Sequence, residues 1–159
     1  KLQMFLMLTI IGGLLLAGCS NDASDVVEPS LSTNEMVDEM LAKVEQPKLM
    51  ELTPDLVKEL YNIDPEKLED YAIRIPMMNV KTNEIAILKV KDAADVSAVE
   101  EALKQRAQTV QQQFETYLPD QYENAKNYKL VTKGNYVLFV ISDQADALVT
   151  EYDRFFNEQ

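Results

Sequence analysis

Tyr136-Val137-Leu138-Phe139-Val140-Ile141 is apolar throughout and follows directly on the turn residues Lys133-Gly134-Asn135. A strand with one face in water alternates apolar and polar residues, whereas an unbroken apolar run of this length reads as a strand covered on both faces. Tyr128 to Thr132, on the other side of the turn, supplies its hairpin partner. The fold therefore has to bring cover to both sides of a sheet.

Glu84 to Val90 is likewise dense in Ile, Leu and Val, and Ala72 to Asn79 alternates through Ile73, Ile75 and Met77. With Lys81-Thr82-Asn83 between them, these two stretches predict a second hairpin. Between the hairpins a long helix is expected from its N-cap at Asp95 to Leu118, closed by Pro119, which opens at most one further turn. A last helix is expected over residues 143–157, with Leu148, Tyr152, Phe155 and Phe156 facing inward.

Upstream, Ser32 and Glu35 have the spacing of a capping box, and Val37, Met40, Leu41 and Val44 recur at helical spacing, so a helix is expected over residues 34–45, ended by Pro47. Thr53-Pro54-Asp55 and Asp64-Pro65-Glu66 each open a further short helix. Phe5 aside, every aromatic residue lies at or beyond Tyr61, which places the main core in the later part of the chain. The element order predicts an α+β domain over residues 34–159. Its expected sheet is four-stranded and mostly antiparallel, built as strand-strand-helix twice over. Both long helices are placed on one face, with the short N-terminal helices on the other face or at an edge.

The beginning of the chain has a different character. Leu2 to Leu16 is an apolar run preceded by Lys1, and it ends in Leu16-Ala17-Gly18-Cys19. A basic start, a short apolar core and small residues at the cut form a secretory signal. The last four residues resemble the lipobox of bacterial lipoprotein signals, which implies cleavage between Gly18 and Cys19 and a covalent lipid on Cys19. Two or three acyl chains, at roughly 0.8 kcal/mol per buried methylene, hold a domain on a bilayer. An uncleaved anchor would need about 20 apolar residues, and this run is shorter and contains Gly12 and Gly13. An ordinary disulfide is disfavoured because Cys19 is the sole cysteine. The expected organisation is a signal peptide at residues 1–18, a lipidated tether at residues 19–33 with a reach of about 20 Å, and one domain thereafter. The expected location is the extracytoplasmic side of the cell membrane.

Formal net charge is −12 and there is no histidine. Strong acidity argues against nucleic acid and against anionic headgroups as partners. The absence of histidine, with the one thiol expected to be alkylated, excludes histidine-based acid–base catalysis, cysteine–histidine nucleophiles and ordinary zinc sites. No enzyme, metal or cofactor other than the lipid is expected. The methionines, including the adjacent Met77-Met78, read as core filling.

One charge is placed against the grain. The long helix's apolar stripe runs through Val99, Leu103, Val110, Phe114 and Tyr117, and Arg106 falls on it. A buried, unpaired guanidinium is costly. Glu84, in phase with Ala86, Leu88 and Val90, is its candidate partner. Three arrangements are open: a structural Glu84–Arg106 pair, an arginine that snorkels to the surface, or a site for an anionic group with Tyr117 or Tyr136 nearby.

Leu60-Tyr61-Asn62-Ile63, Met78-Asn79-Val80, Glu84-Ile85-Ala86, Arg106, Tyr117-Leu118-Pro119-Asp120-Gln121 and Gly134-Asn135-Tyr136-Val137 occur in that order. In this the chain resembles a family of Gram-positive bacterial lipoproteins catalogued only as a domain of unknown function. The resemblance implies a small exported lipoprotein domain and no assigned activity. Two functions fit: a non-catalytic interaction module docking an envelope protein, or a small-ligand-binding lipoprotein with an anionic-group site near Arg106. An exposed apolar patch would favour the first, and a concave pocket at the sheet–helix junction the second.

Overall fold

A computed structural model describes residues 26–157. The proposed signal peptide, Gly18 and Cys19 lie outside the described residues. The described residues form five helices and one five-stranded antiparallel sheet. In chain order these are α1 (Thr33–Lys43), β1 (Leu49–Glu51), α2 (Pro54–Tyr61), β2 (Leu68–Pro76), β3 (Glu84–Val90), α3 (Val96–Phe114), α4 (Pro119–Lys126), β4 (Lys129–Lys133), β5 (Tyr136–Ile141) and α5 (Ala145–Arg154). The spatial order of the strands is β1-β2-β3-β5-β4.

The two apolar runs, β3 and β5, lie side by side in the interior of the sheet, with Ala86 opposite Phe139 and Leu88 opposite Val137. Alternate residues of each run enter different cores. Ala86, Leu88, Val90, Val137, Phe139 and Ile141 pack with Val99, Leu103, Ala107, Val110 and Phe114 of α3 and with Val57 and Tyr61 of α2. Ile85, Ile87, Leu138 and Val140 pack with Met36, Val37 and Met40 of α1 and with Leu148 and Tyr152 of α5. Each fully buried side chain of this size contributes roughly 1.5–3 kcal/mol, so neither face can be left open.

This arrangement corrects the expected placement of the two long helices on one face. α3 and α5 lie on opposite faces, giving a sheet between two helical layers. The physical reason is the apolar run itself: with α5 beside α3, only α1 would remain to cover Ile85, Ile87, Leu138 and Val140. The short N-terminal helices are likewise divided, α1 to one face and α2 to the other.

A fifth strand, β1, pairs with the end of β2, Leu49 opposite Pro76. Three residues are too few to show an alternating pattern, which is why four strands were expected. At the other edge β4 carries lysines at both ends, tied to α5 by Lys129–Asp146 at 2.8 Å and Lys133–Asp153 at 3.0 Å. Short strands and charged edges of this kind discourage pairing with other chains.

Local signals place the elements. Ser32 and Glu35 form the reciprocal capping box of α1. Asn62 ends α2 in the left-handed region, φ 54°. The 64–66 start signal opens a single tight turn over Pro65–Lys67, and the chain then goes directly into β2. Pro119 starts an eight-residue helix, longer than the single turn expected. No helix among the described residues is long and apolar enough to cross a membrane.

Candidate functional site

Glu84 opens β3 on the α3 face, and Arg106 stands in the middle of α3 above it. Both are withdrawn from solvent, with side-chain exposures of 3% and 10%. The arginine donates from Nε to Glu84 Oε2 at 3.1 Å and from Nη2 to Glu84 Oε1, a two-pronged contact. Such fork-on-fork geometry is the strong form of a charge-assisted hydrogen bond.

Tyr61, the last residue of α2, completes the cluster. Its hydroxyl donates to Glu84 Oε2 at 2.6 Å, and the Arg106 guanidinium lies 5.2 Å from the centre of its ring. The ring meets Phe139 of β5 edge-on at 6.5 Å. One carboxylate thus joins α2, α3 and the sheet. Burial, with the Glu84 charge next, pushes the Tyr61 phenol well above its usual range, so it stays a donor. For Arg106, burial disfavours the charge, but the hydrogen bonds and charge of Glu84 more than offset it, and the guanidinium is held above its usual value.

Register matters here. A one-residue slip of β3 would turn Glu84 toward α1 and α5 and exchange the two buried sets of side chains. The carboxylate and the apolar alternation therefore specify the same alignment.

The pair forms part of the floor of an open groove of about 580 Å³ at the end of the sheet. One wall is Ile75, Pro76, Met77 and Met78 at the end of β2; the other is Val110 and Phe114 of α3 with Tyr117 just beyond it. Met77, Met78 and Tyr117 are more than half exposed. This corrects the reading of Met77 and Met78 as core filling, since β2 ends at Pro76 and the chain then bends outward. Met36 and Met40, by contrast, are fully buried in the core.

The loop between β2 and β3 is held in place. The Thr82 backbone N–H donates to Gln121 Oε1 at 3.0 Å, and Thr82 Oγ1 accepts from Asn124 Nδ2 at 3.1 Å. Asn83 Nδ2 and Ser142 Oγ both donate to Gln46 Oε1, at 3.0 and 2.9 Å. The groove is therefore built on fixed elements.

Of the residues singled out by sequence, the structure brings Glu84, Arg106 and Tyr117 to this groove and leaves Tyr136 elsewhere. Tyr136 points to the opposite face, its ring 5.5 Å from Phe156 and its hydroxyl 3.4 Å from Glu28 Oε1. Its position follows from strand alternation, since it shares a side with Leu138 and Val140. Tyr61 was missed as a polar member of the site. Its position one helical turn after Val57 is a signal of burial, and a buried tyrosine usually finds a partner for its hydroxyl. No group of three or more His, Cys, Asp or Glu residues among the described residues is placed to hold a metal ion.

No curated protein and no solved structure matches the chain. Residues 42–142 match the domain of unknown function DUF4358, a span that takes in every strand of the sheet, Tyr61, Glu84, Arg106 and the walls of the groove. Because the match covers more than half of the chain, the protein belongs to the DUF4358 family.

Proposed function

We propose that this protein is a non-catalytic interaction module, held at the extracytoplasmic face of a membrane by a lipid on Cys19, that docks apolar side chains of an envelope protein in the groove between β2 and α3. The observation that carries the docking reading is the contrast between floor and walls. The floor's charges are consumed by each other, while Met77, Met78 and Tyr117 present apolar surface to solvent around a preformed concavity. Methionine side chains are flexible and polarizable and adapt to apolar partners of varied shape. Exposed apolar surface around a groove marks interaction sites.

The anchor rests on Leu16-Ala17-Gly18-Cys19 and on the resemblance to Gram-positive lipoproteins. Mass spectrometry of the mature amino terminus tests it directly: a diacylglyceryl thioether on Cys19 is expected, and an unmodified thiol or an intact leader overturns it.

The groove's volume also lies in the range of small-molecule sites, which favours a ligand-binding module as the second reading. The two part on a photo-crosslinking experiment in native membranes with the reactive group at Tyr117 or, as a control, at Asp146 on α5. Docking predicts a discrete protein adduct from Tyr117, absent from Asp146, and binding of the purified adduct partner that is lost with Met78→Asp. No protein adduct from Tyr117 overturns the docking reading.

A further inference from the structure

The segment leading into α1 is laid against the end of the sheet farthest from the groove. Val26 lies beside Gly134 in the β4–β5 turn, at 3.7 Å from where a Cβ would stand there. Glu28 pairs with Lys89 near the end of β3 and accepts from the Tyr136 hydroxyl at 3.4 Å. Leu31 then packs against the α1 and α5 core. The groove opens at the opposite end of the same strand, where Glu84 begins β3 and the 77–82 loop projects beyond it. Glu84 and Lys89 are separated by about 17 Å along β3, at roughly 3.3 Å per residue.

We propose that residues 26–31 act as a strap fixing the membrane-proximal pole of the domain at the β4–β5 turn, so that the groove faces away from the anchoring membrane and meets a partner on its far side. The inference rests on the lipid anchor proposed above. Cys19 precedes Val26 by seven positions, and a link of that length has a root-mean-square reach of about 15 Å, less than the roughly 17 Å between the two poles along β3. Were the strap undocked, the free link would run thirteen positions to Ser32, its reach would rise to about 20 Å, and either pole could approach the bilayer.

The strap is held by groups of opposite charge over an apolar contact. Lys89 is shared between Glu28 and Glu69, and these carboxylates hold its ammonium above the usual range. Its ammonium also sits 5.4 Å from the centre of the Tyr136 ring. Glu28 is correspondingly held below the usual carboxylate range by Lys89.

The test uses the full lipidated protein in liposomes that carry an acceptor dye on their headgroups. Lys81→Cys at the groove and Lys91→Cys at the strap pole are both exposed lysines, and each is labelled with the same donor. Transfer is expected to be stronger from position 91 than from position 81, with the difference lost when Glu28→Lys and Val26→Asp release the strap. Equal transfer from the two positions, or stronger transfer from position 81, with Cys19 shown to be lipidated, overturns the orientation alone. A protein that fails to float with the liposomes and carries an unmodified Cys19 overturns the anchor and the orientation together.

Discussion

Replacing Arg106 by leucine removes two hydrogen bonds and the opposing charge from a carboxylate that is 3% exposed. Breaking one side of a buried pair costs about 3–5 kcal/mol, because the remaining charge is uncompensated. Here Glu84 keeps the Tyr61 hydroxyl, and a hydrogen bond to a charged group contributes about 1.5–3 kcal/mol. The expected loss therefore sits at the lower end, about 3 kcal/mol. For a domain of this size that corresponds to a Tm lower by roughly 10–15 °C. Urea unfolding of Arg106→Leu measures it as a shift of the midpoint at unchanged slope.

The loss alone would not separate a broken pair from a packing defect, so the decisive variant adds Glu84→Gln. Glutamine keeps an oxygen for the Tyr61 hydroxyl and removes the stranded charge. The double variant is expected to recover about 1–2 kcal/mol relative to Arg106→Leu, a coupling of the size found between contacting residues. If Arg106→Leu costs less than about 1 kcal/mol, or if Glu84→Gln adds its own full cost instead of rescuing, the pair does not organise this end of the core.

Three further outcomes follow from the same structure. Gly134→Ala places a side chain on a residue with φ of 56° in the β4–β5 hairpin, and is expected to cost about 1–2 kcal/mol in urea unfolding; no loss would mean that the turn is not held in this conformation. Burial raises the phenols of Tyr61, Tyr136 and Tyr152 above their usual value, which in unfolded chains is near 10. Since the folded state keeps these protons longer, stability is fully present below about pH 10 and falls above it, with part of the tyrosinate absorbance appearing only on unfolding; a titration in which all tyrosines ionise together before unfolding refutes it. Met78→Asp, at an exposed groove wall, is expected to change stability by less than about 0.5 kcal/mol while abolishing the crosslinked adduct from Tyr117; an equal loss of stability would place Met78 in the fold rather than in the site.

The elements with strong periodic or capping signals were legible in the sequence. The β3 and β5 runs, the α1 capping box and the apolar stripe of α3 correspond to elements of the fold within a few residues. What was not legible depended on relations between distant segments. β1 exists because its three residues find the end of β2, a partner no local pattern names. The side taken by α5 was implicit in β5, since six consecutive apolar residues demand cover twice; counting helices by length obscured that demand. Met77 and Met78 were misread because alternation was carried one step past Pro76, where the strand ends.

Arg106 was legible as an anomaly, and Glu84 as its partner in phase, but the consequence for the groove needed the third dimension. An anion entering the groove would find the guanidinium already bound at two nitrogens by Glu84. To take its place, the anion must leave Glu84 buried with only the Tyr61 hydroxyl, a penalty of several kcal/mol. Micromolar binding supplies about 8 kcal/mol in total, so such a ligand would spend a large share of its affinity on displacement alone. Met77, Met78 and Tyr117 carry no comparable commitment to the fold, and contacts made with them incur no such penalty. The features that make Glu84 and Arg106 effective in fixing the register of β3 against α3 also make them a poor anion fork, which is why the proposed docking is assigned to the apolar walls.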